Sequence, residues 1–188
     1  MTGRWGWEGP PPEAYGRVTN PERFRPLHAA GRSLLATLED QFVVARSSIS
    51  ASPEHPDATA VKLTPVDPAA APLTMSFTAF PGLKIRIGTT VSMALPTCGC
   101  DACDEDVEEC LQHLTPWITA LTTGSITERL SRRGPRSWWH EVSTGSQGST
   151  SGTLVEGQHS KQLRKALPTG EQHWTPWPAR PLDSGRHL

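Results

Sequence analysis

The chain has 188 residues, a formal net charge of -1 and a pI near 6.6, so its overall charge calls for neither a polyanionic partner nor an anionic membrane. Hydrophobic residues make up 36% and charged residues 20%, with 18 Pro and 16 Gly; this balance fits one domain with part of the chain outside the core. No apolar run reaches the length of a membrane span and the N-terminus lacks an apolar signal core, which predicts a soluble, cytoplasmic protein whose cysteines are reduced thiols or metal ligands.

Residues 1–18 read as a Pro/Gly/Trp-rich arm carrying Trp5, Trp7 and Tyr15, which pack it on the domain. Asn20-Pro21 marks a first helix, because Asn caps well and Pro suits the first helical position. Phe24, Leu27, Gly31, Leu34, Leu35 and Leu38 follow at helical spacing, and Pro26 moves the true start toward itself. The helix ends near Glu39–Asp40. Phe42–Arg46 and Ala60–Thr64 read as short strands joined by a polar loop.

The clearest pattern runs from Leu73 to Leu95. Leu73, Met75, Phe77 and Ala79 alternate with polar residues, as do Leu83, Ile85 and Ile87, and then Val91, Met93 and Leu95. Period-two spacing broken by short turns predicts an antiparallel meander with one buried face. A second helix is expected over Asp104–Thr123, with Val107, Cys110, Leu111, Leu114, Trp117, Ile118 and Leu121 on one face and either a kink or the end of its first segment at Pro116. Arg136–Val142 reads as a strand, Ser143–Gly152 as flexible, Ser160–Leu167 as a short helix, and the last sixteen residues as irregular. Together these elements predict an α+β fold, an antiparallel meander sheet packed against two main helices. The core would span residues 19–145, followed at 146–188 by a Ser/Gly-rich linker and a Trp/Pro-rich tail.

Between the last meander strand and the second helix lies Cys98-Gly99-Cys100-Asp101-Ala102-Cys103. Three thiols within six residues of a turn can converge on one ion, and Gly99 allows a sharp bend between two of them. Three readings stand side by side. Cys98, Cys100 and Cys103 hold a structural zinc; or the thiols only shape a tight turn; or Cys100 and Cys103 form a redox pair, as Cys-x-x-Cys pairs at helix starts do. The acidic neighbours Asp101, Asp104, Glu105 and Asp106 weigh against a reactive thiolate. A zinc site wants a fourth ligand. Cys110 lies about 10 Å farther along the helix axis and on its apolar stripe, where it reads as a small hydrophobe. That leaves Asp101, Asp104 or a distant histidine such as His28 or His140.

Arg132–Trp139 mixes arginine and tryptophan, as single-stranded nucleic-acid sites do, although a basic turn leading into a packed strand is the simpler reading. Phosphate-loop, dinucleotide and zinc-protease motifs are absent, so no catalytic residue is assigned.

The segments Ala14–Phe24, Phe77–Gly82, Cys98–Glu105 (CGCDACDE) and Trp174–Pro178 resemble a family of uncharacterised actinobacterial proteins, a domain of unknown function. The resemblance spans about residues 13–178 and implies a bacterial, single-domain protein with no assigned chemistry. The functional expectation is a non-enzymatic intracellular binding or interaction domain with a zinc site at Cys98, Cys100 and Cys103. Its partner would be a protein rather than nucleic acid or membrane. The alternatives are a thiol–disulfide redox protein and single-stranded nucleic-acid binding through Arg132–Trp139.

Overall fold

A computed structural model describes residues 5–52, 55–145 and 150–181. Pro21–Phe24 forms a short 3-10 turn, and the first α-helix, α1, follows over Pro26–Gln41. Pro26 is therefore where the α-helix starts, as its missing N–H predicts. Asn20 makes no side-chain cap. Leu27, Gly31, Leu35 and Leu38 form the buried face. At Gly31 an added Cβ would stand 2.9 Å from Met75 Sδ, so the missing side chain is what lets α1 lie close on the sheet.

That sheet has five antiparallel strands in sequential order: β1 (Val44–Ser52), β2 (His55–Pro65), β3 (Leu73–Phe77), β4 (Leu83–Ile87) and β5 (Val91–Leu95). The meander of β3 to β5 is the one predicted from alternation. Leu73, Met75, Leu83, Ile85, Ile87, Val91 and Leu95 are buried beneath the helices. Ala79, expected to extend β3, lies instead in the turn before β4. The polar loop expected after Arg46 is also corrected, because β1 and β2 run through most of it as one long hairpin. Only Ala60–Leu63 of β2 pairs with β3, so the rest of the hairpin is two strands wide. Backbone hydrogen bonds, which every residue type but Pro can donate, pair such a ribbon, so a polar sequence can form it.

The second helix, α2, covers Val107–Thr123, three residues later than expected. Asp106 is its N-cap, accepting Glu109 N–H at 2.8 Å while the Glu109 carboxylate accepts Asp106 N–H at 3.3 Å. Asp104 and Glu105 therefore precede the helix, and Asp104 has a left-handed φ of 48°. Pro116 lies inside α2 and does not end it. Cys110 and Leu114 before it and Ala120 and Leu121 after it are all buried, and this stripe holds the helix continuous across the missing N–H.

A second antiparallel sheet, in the order β8-β7-β6-β9, is formed by β6 (Thr127–Arg132), β7 (Trp138–Ser143), β8 (Thr150–Val155) and β9 (Glu171–His173). A third helix, α3 (Gly157–Ala166), connects β8 to β9 and packs Leu163 with Leu130, Val155 and Leu167. The edge strand β9 is not expected from the sequence, and it reaches only His173, the first residue of the segment read as irregular. Beyond it Trp177 is buried, with its Nε1–H donating to Ala71 O at 2.8 Å. Of the stretch expected to be flexible, residues 146–149 lie outside the described residues, as do tail residues 182–188. The two sheets are joined by Glu128 of β6, which is fully buried. Its carboxylate accepts Thr89 N–H, Thr90 N–H, the Thr90 hydroxyl and Trp174 Nε1–H. Among the described residues no helix is long and apolar enough to cross a membrane.

Candidate metal centre

The three clustered cysteines come together in space. The Sγ atoms of Cys98, Cys100 and Cys103 all lie within 4.8 Å of one another. Cys98 and Cys103 are exposed and Cys100 is buried. Two sulfurs bound to one tetrahedral zinc through 2.3 Å bonds stand about 3.8 Å apart. The cluster therefore needs to close by no more than about 1 Å to hold such an ion, and it can hold a metal ion.

The backbone brings the thiols together through bonds that short-range spacing does not reveal. Gly99 has a φ of 77°, and a Cβ there would stand 3.0 Å from both Phe80 Cζ and Pro96 Cγ. Only glycine takes this bend cheaply. Three successive N–H groups, from Thr97, Cys98 and Gly99, then converge on the Glu105 carboxylate at 2.8–3.0 Å. Burial works against the Glu105 charge, but the three donors outweigh it and keep the carboxyl below its ordinary range. Asp104 N–H closes the turn on Cys100 O.

Residues far upstream complete the site. Asp101 N–H donates to Arg17 O and Ala102 N–H to Ala14 O, which pairs the knuckle with the N-terminal arm. The Asp101 side chain is buried. It accepts Thr19 N–H, the Thr19 hydroxyl and Arg17 Nε–H, each at 3.0 Å. The Thr19 amide contributes most to holding this carboxyl ionised, with the Thr19 hydroxyl and Arg17 adding to it against burial. Arg23 donates to Cys100 O at 3.4 Å. Ala14, Cys100 and Ala102 form a small cluster with Trp5 against it. Of the arm's aromatics, Trp5 packs as predicted, whereas Trp7 and Tyr15 face solvent.

The acidic neighbours predict a raised thiol, but at Cys100 hydrogen bonds to the sulfur decide the direction. Cys100 is instead lowered to about 6, first by the Cys103 backbone N–H and then by the Cys98 thiol, with the Gly16 N–H adding to both. Cys103 is pushed up to about 12, chiefly because its own S–H is held by Cys100 and Cys98. A lowered Cys100 thiol beside a raised Cys103 thiol is a ligand set from which a metal would displace the Cys103 proton.

The fourth-ligand candidates are not drawn in. Among the described residues no further Asp, Glu, His or Cys joins the three sulfurs within the same 4.8 Å. Asp101 is committed to Arg17 and Thr19. His28 bonds Gly82 O at 3.0 Å and meets the Phe77 ring edge-on. His140 sits in the second sheet, 2.8 Å from the Thr90 hydroxyl. Cys110 is buried on the α2 stripe, where burial, then Glu105, Asp106 and Glu109, push it up to about 11. Sequence reasoning missed Arg17, Thr19 and Arg23. These lie between 77 and 84 residues from the knuckle residues they bond, and no local pattern marks such pairings.

The chain belongs to a family of unknown function, DUF6226, whose family model matches residues 2–181. No curated protein and no solved structure matches it.

Proposed function

We propose that the protein is a non-enzymatic intracellular binding or interaction domain in which Cys98, Cys100 and Cys103 hold a structural zinc ion. The observation that carries this reading is the convergence of three thiols within 4.8 Å on a turn that other bonds already preorganise. Thiolates prefer borderline ions, and zinc accepts them without redox chemistry. Such an ion would tie the turn after β5 to the start of α2. Through Asp101 and Ala102 it would also fasten the N-terminal arm. Three protein ligands leave a fourth position for water or for a group supplied by a partner.

The test is elemental mass spectrometry on tag-free protein purified without chelator. About one zinc per chain is expected, falling toward zero in Cys100→Ser, with a lower Tm for wild type after chelation because the ion binds only the folded chain. Metal-free protein with four titratable thiols would end the zinc reading. The lowered Cys100 thiol supports a second reading, in which Cys100 and Cys103 close a disulfide. A single reversible disulfide between those two residues in metal-free protein, located by peptide mapping, is its signature.

A further inference from the structure

The near-zero net charge hides a strong segregation. Residues 129–171 carry seven Arg and Lys against three Glu, although the whole chain is net negative. The fold concentrates part of that excess around one open cavity of about 650 Å³ between α3 and the second sheet, lined by Trp138, Leu130, Lys161, Arg164 and Lys165 among others, none of them acidic. Lys161, Arg164 and Lys165 are exposed. Their i, i+3, i+4 spacing places them on one face of α3. Among the described residues none of the three is in a salt bridge. The Arg164 guanidinium lies 5.1 Å from the centroid of the Trp138 ring.

The hairpin of β6 and β7 extends this basic surface. Arg132 is the cross-strand partner of Trp138, so both side chains leave the sheet on the same face. The Arg132 Nε–H donates to Gly134 O, so it contributes charge from a fixed position. Arg133 and Arg136 are exposed in the turn between the strands. The cations thus continue past the cavity. A single small anion would not use such a line, whereas a chain of phosphates would. The cavity floor is apolar, with Leu130 and Leu167 buried and Trp138 half-buried, which suits the flat face of a base.

We propose that this α3–hairpin surface binds single-stranded nucleic acid, with the phosphates along Lys161, Arg164, Lys165 and the Arg132–Arg136 turn and a base over the cavity floor. Summed sequence charge argued against nucleic acid. Only the fold shows that α3 brings three cations to the tryptophan of a strand more than twenty residues earlier.

The test is fluorescence anisotropy of a labelled twenty-nucleotide oligo(dT) or oligo(U) titrated with the full chain at several salt concentrations. Binding should weaken with salt with a log–log slope of about -2 to -3, as expected for three or four phosphates neutralised on a single strand. Lys161→Glu with Lys165→Glu should reduce affinity at least about tenfold and flatten that slope, while Lys84→Ala on the exposed side of β4 should leave both unchanged. Circular dichroism and Tm of each variant establish that it is folded, and Lys161→Gln with Lys165→Gln provides a milder pair. Absent binding at low salt, binding unaffected by the α3 variants, or saturation by mononucleotide at the same affinity as the strand would each overturn the proposal.

Discussion

Removing the Glu128 side chain should unfasten the two sheets from each other. Its carboxylate is fully buried, with Oε1 accepting Thr89 N–H at 2.9 Å and Trp174 Nε1–H at 2.8 Å, and Oε2 accepting Thr90 N–H at 2.5 Å and the Thr90 hydroxyl. In Glu128→Ala three N–H donors lose their acceptor at once. At about 1 kcal/mol for each, the low end for a partly buried group left unmade, the loss is about 3 kcal/mol. For a chain of this size that lowers Tm by about 6–12 °C. Glu128→Gln tests the reasoning more finely, because it keeps the shape and replaces one acceptor oxygen with a donor. An amide nitrogen at the Oε1 position would face two fixed N–H groups. At the Oε2 position it faces one N–H and a hydroxyl that can rotate to accept. The glutamine should therefore take the second orientation, cost less than the alanine and turn the Thr90 hydroxyl away from its present partner. Differential scanning calorimetry of the three proteins measures both steps. A Tm for Glu128→Ala equal to wild type, or a glutamine variant worse than the alanine, would refute the staple.

Two further outcomes follow from the knuckle and α2. The Asp101 carboxyl is lowered in the fold, first by the Thr19 amide, so its contribution is present above the ordinary carboxylate range and is lost as pH falls through the lowered value. Wild type minus Asp101→Asn in an acid Tm series should accordingly shrink as pH falls, and a difference that is constant with pH would contradict this. Cys110 is buried and pushed up to about 11, so brief alkylation of the metal-free folded protein near pH 8 should modify the exposed Cys98 and spare Cys110 until denaturant is added. Peptide mapping by mass spectrometry reads this directly.

The features legible in the sequence were those carried by short periods and close neighbours. Alternation from Leu73 to Leu95 determined three strands and the face they bury, because every second side chain of a half-buried strand meets the core. The helical spacing after Pro26 and after Val107 likewise determined two helices, and three cysteines within six residues marked the turn that could hold a metal. Where the physics was not local, the chain gave no such signal. Residues 45–50 of β1 are exposed and carry no apolar alternation, Pro116 passes through a helix with buried residues on both sides of it, and β9 is held by pairing with β6 rather than by any pattern of its own. The role of the carboxylates was also decided by the fold. Asp101 and Glu105, close to the thiols in sequence, are bonded by Thr19 and Arg17 and by the amides of the cysteine turn, while hydrogen bonds to the Cys100 sulfur, first from the Cys103 amide, lower that thiol. The sequence alone placed the sulfurs near one another. Only tertiary structure decided which charges face them, because a side chain's bonds depend on what the fold brings opposite it, and those partners lie many residues away.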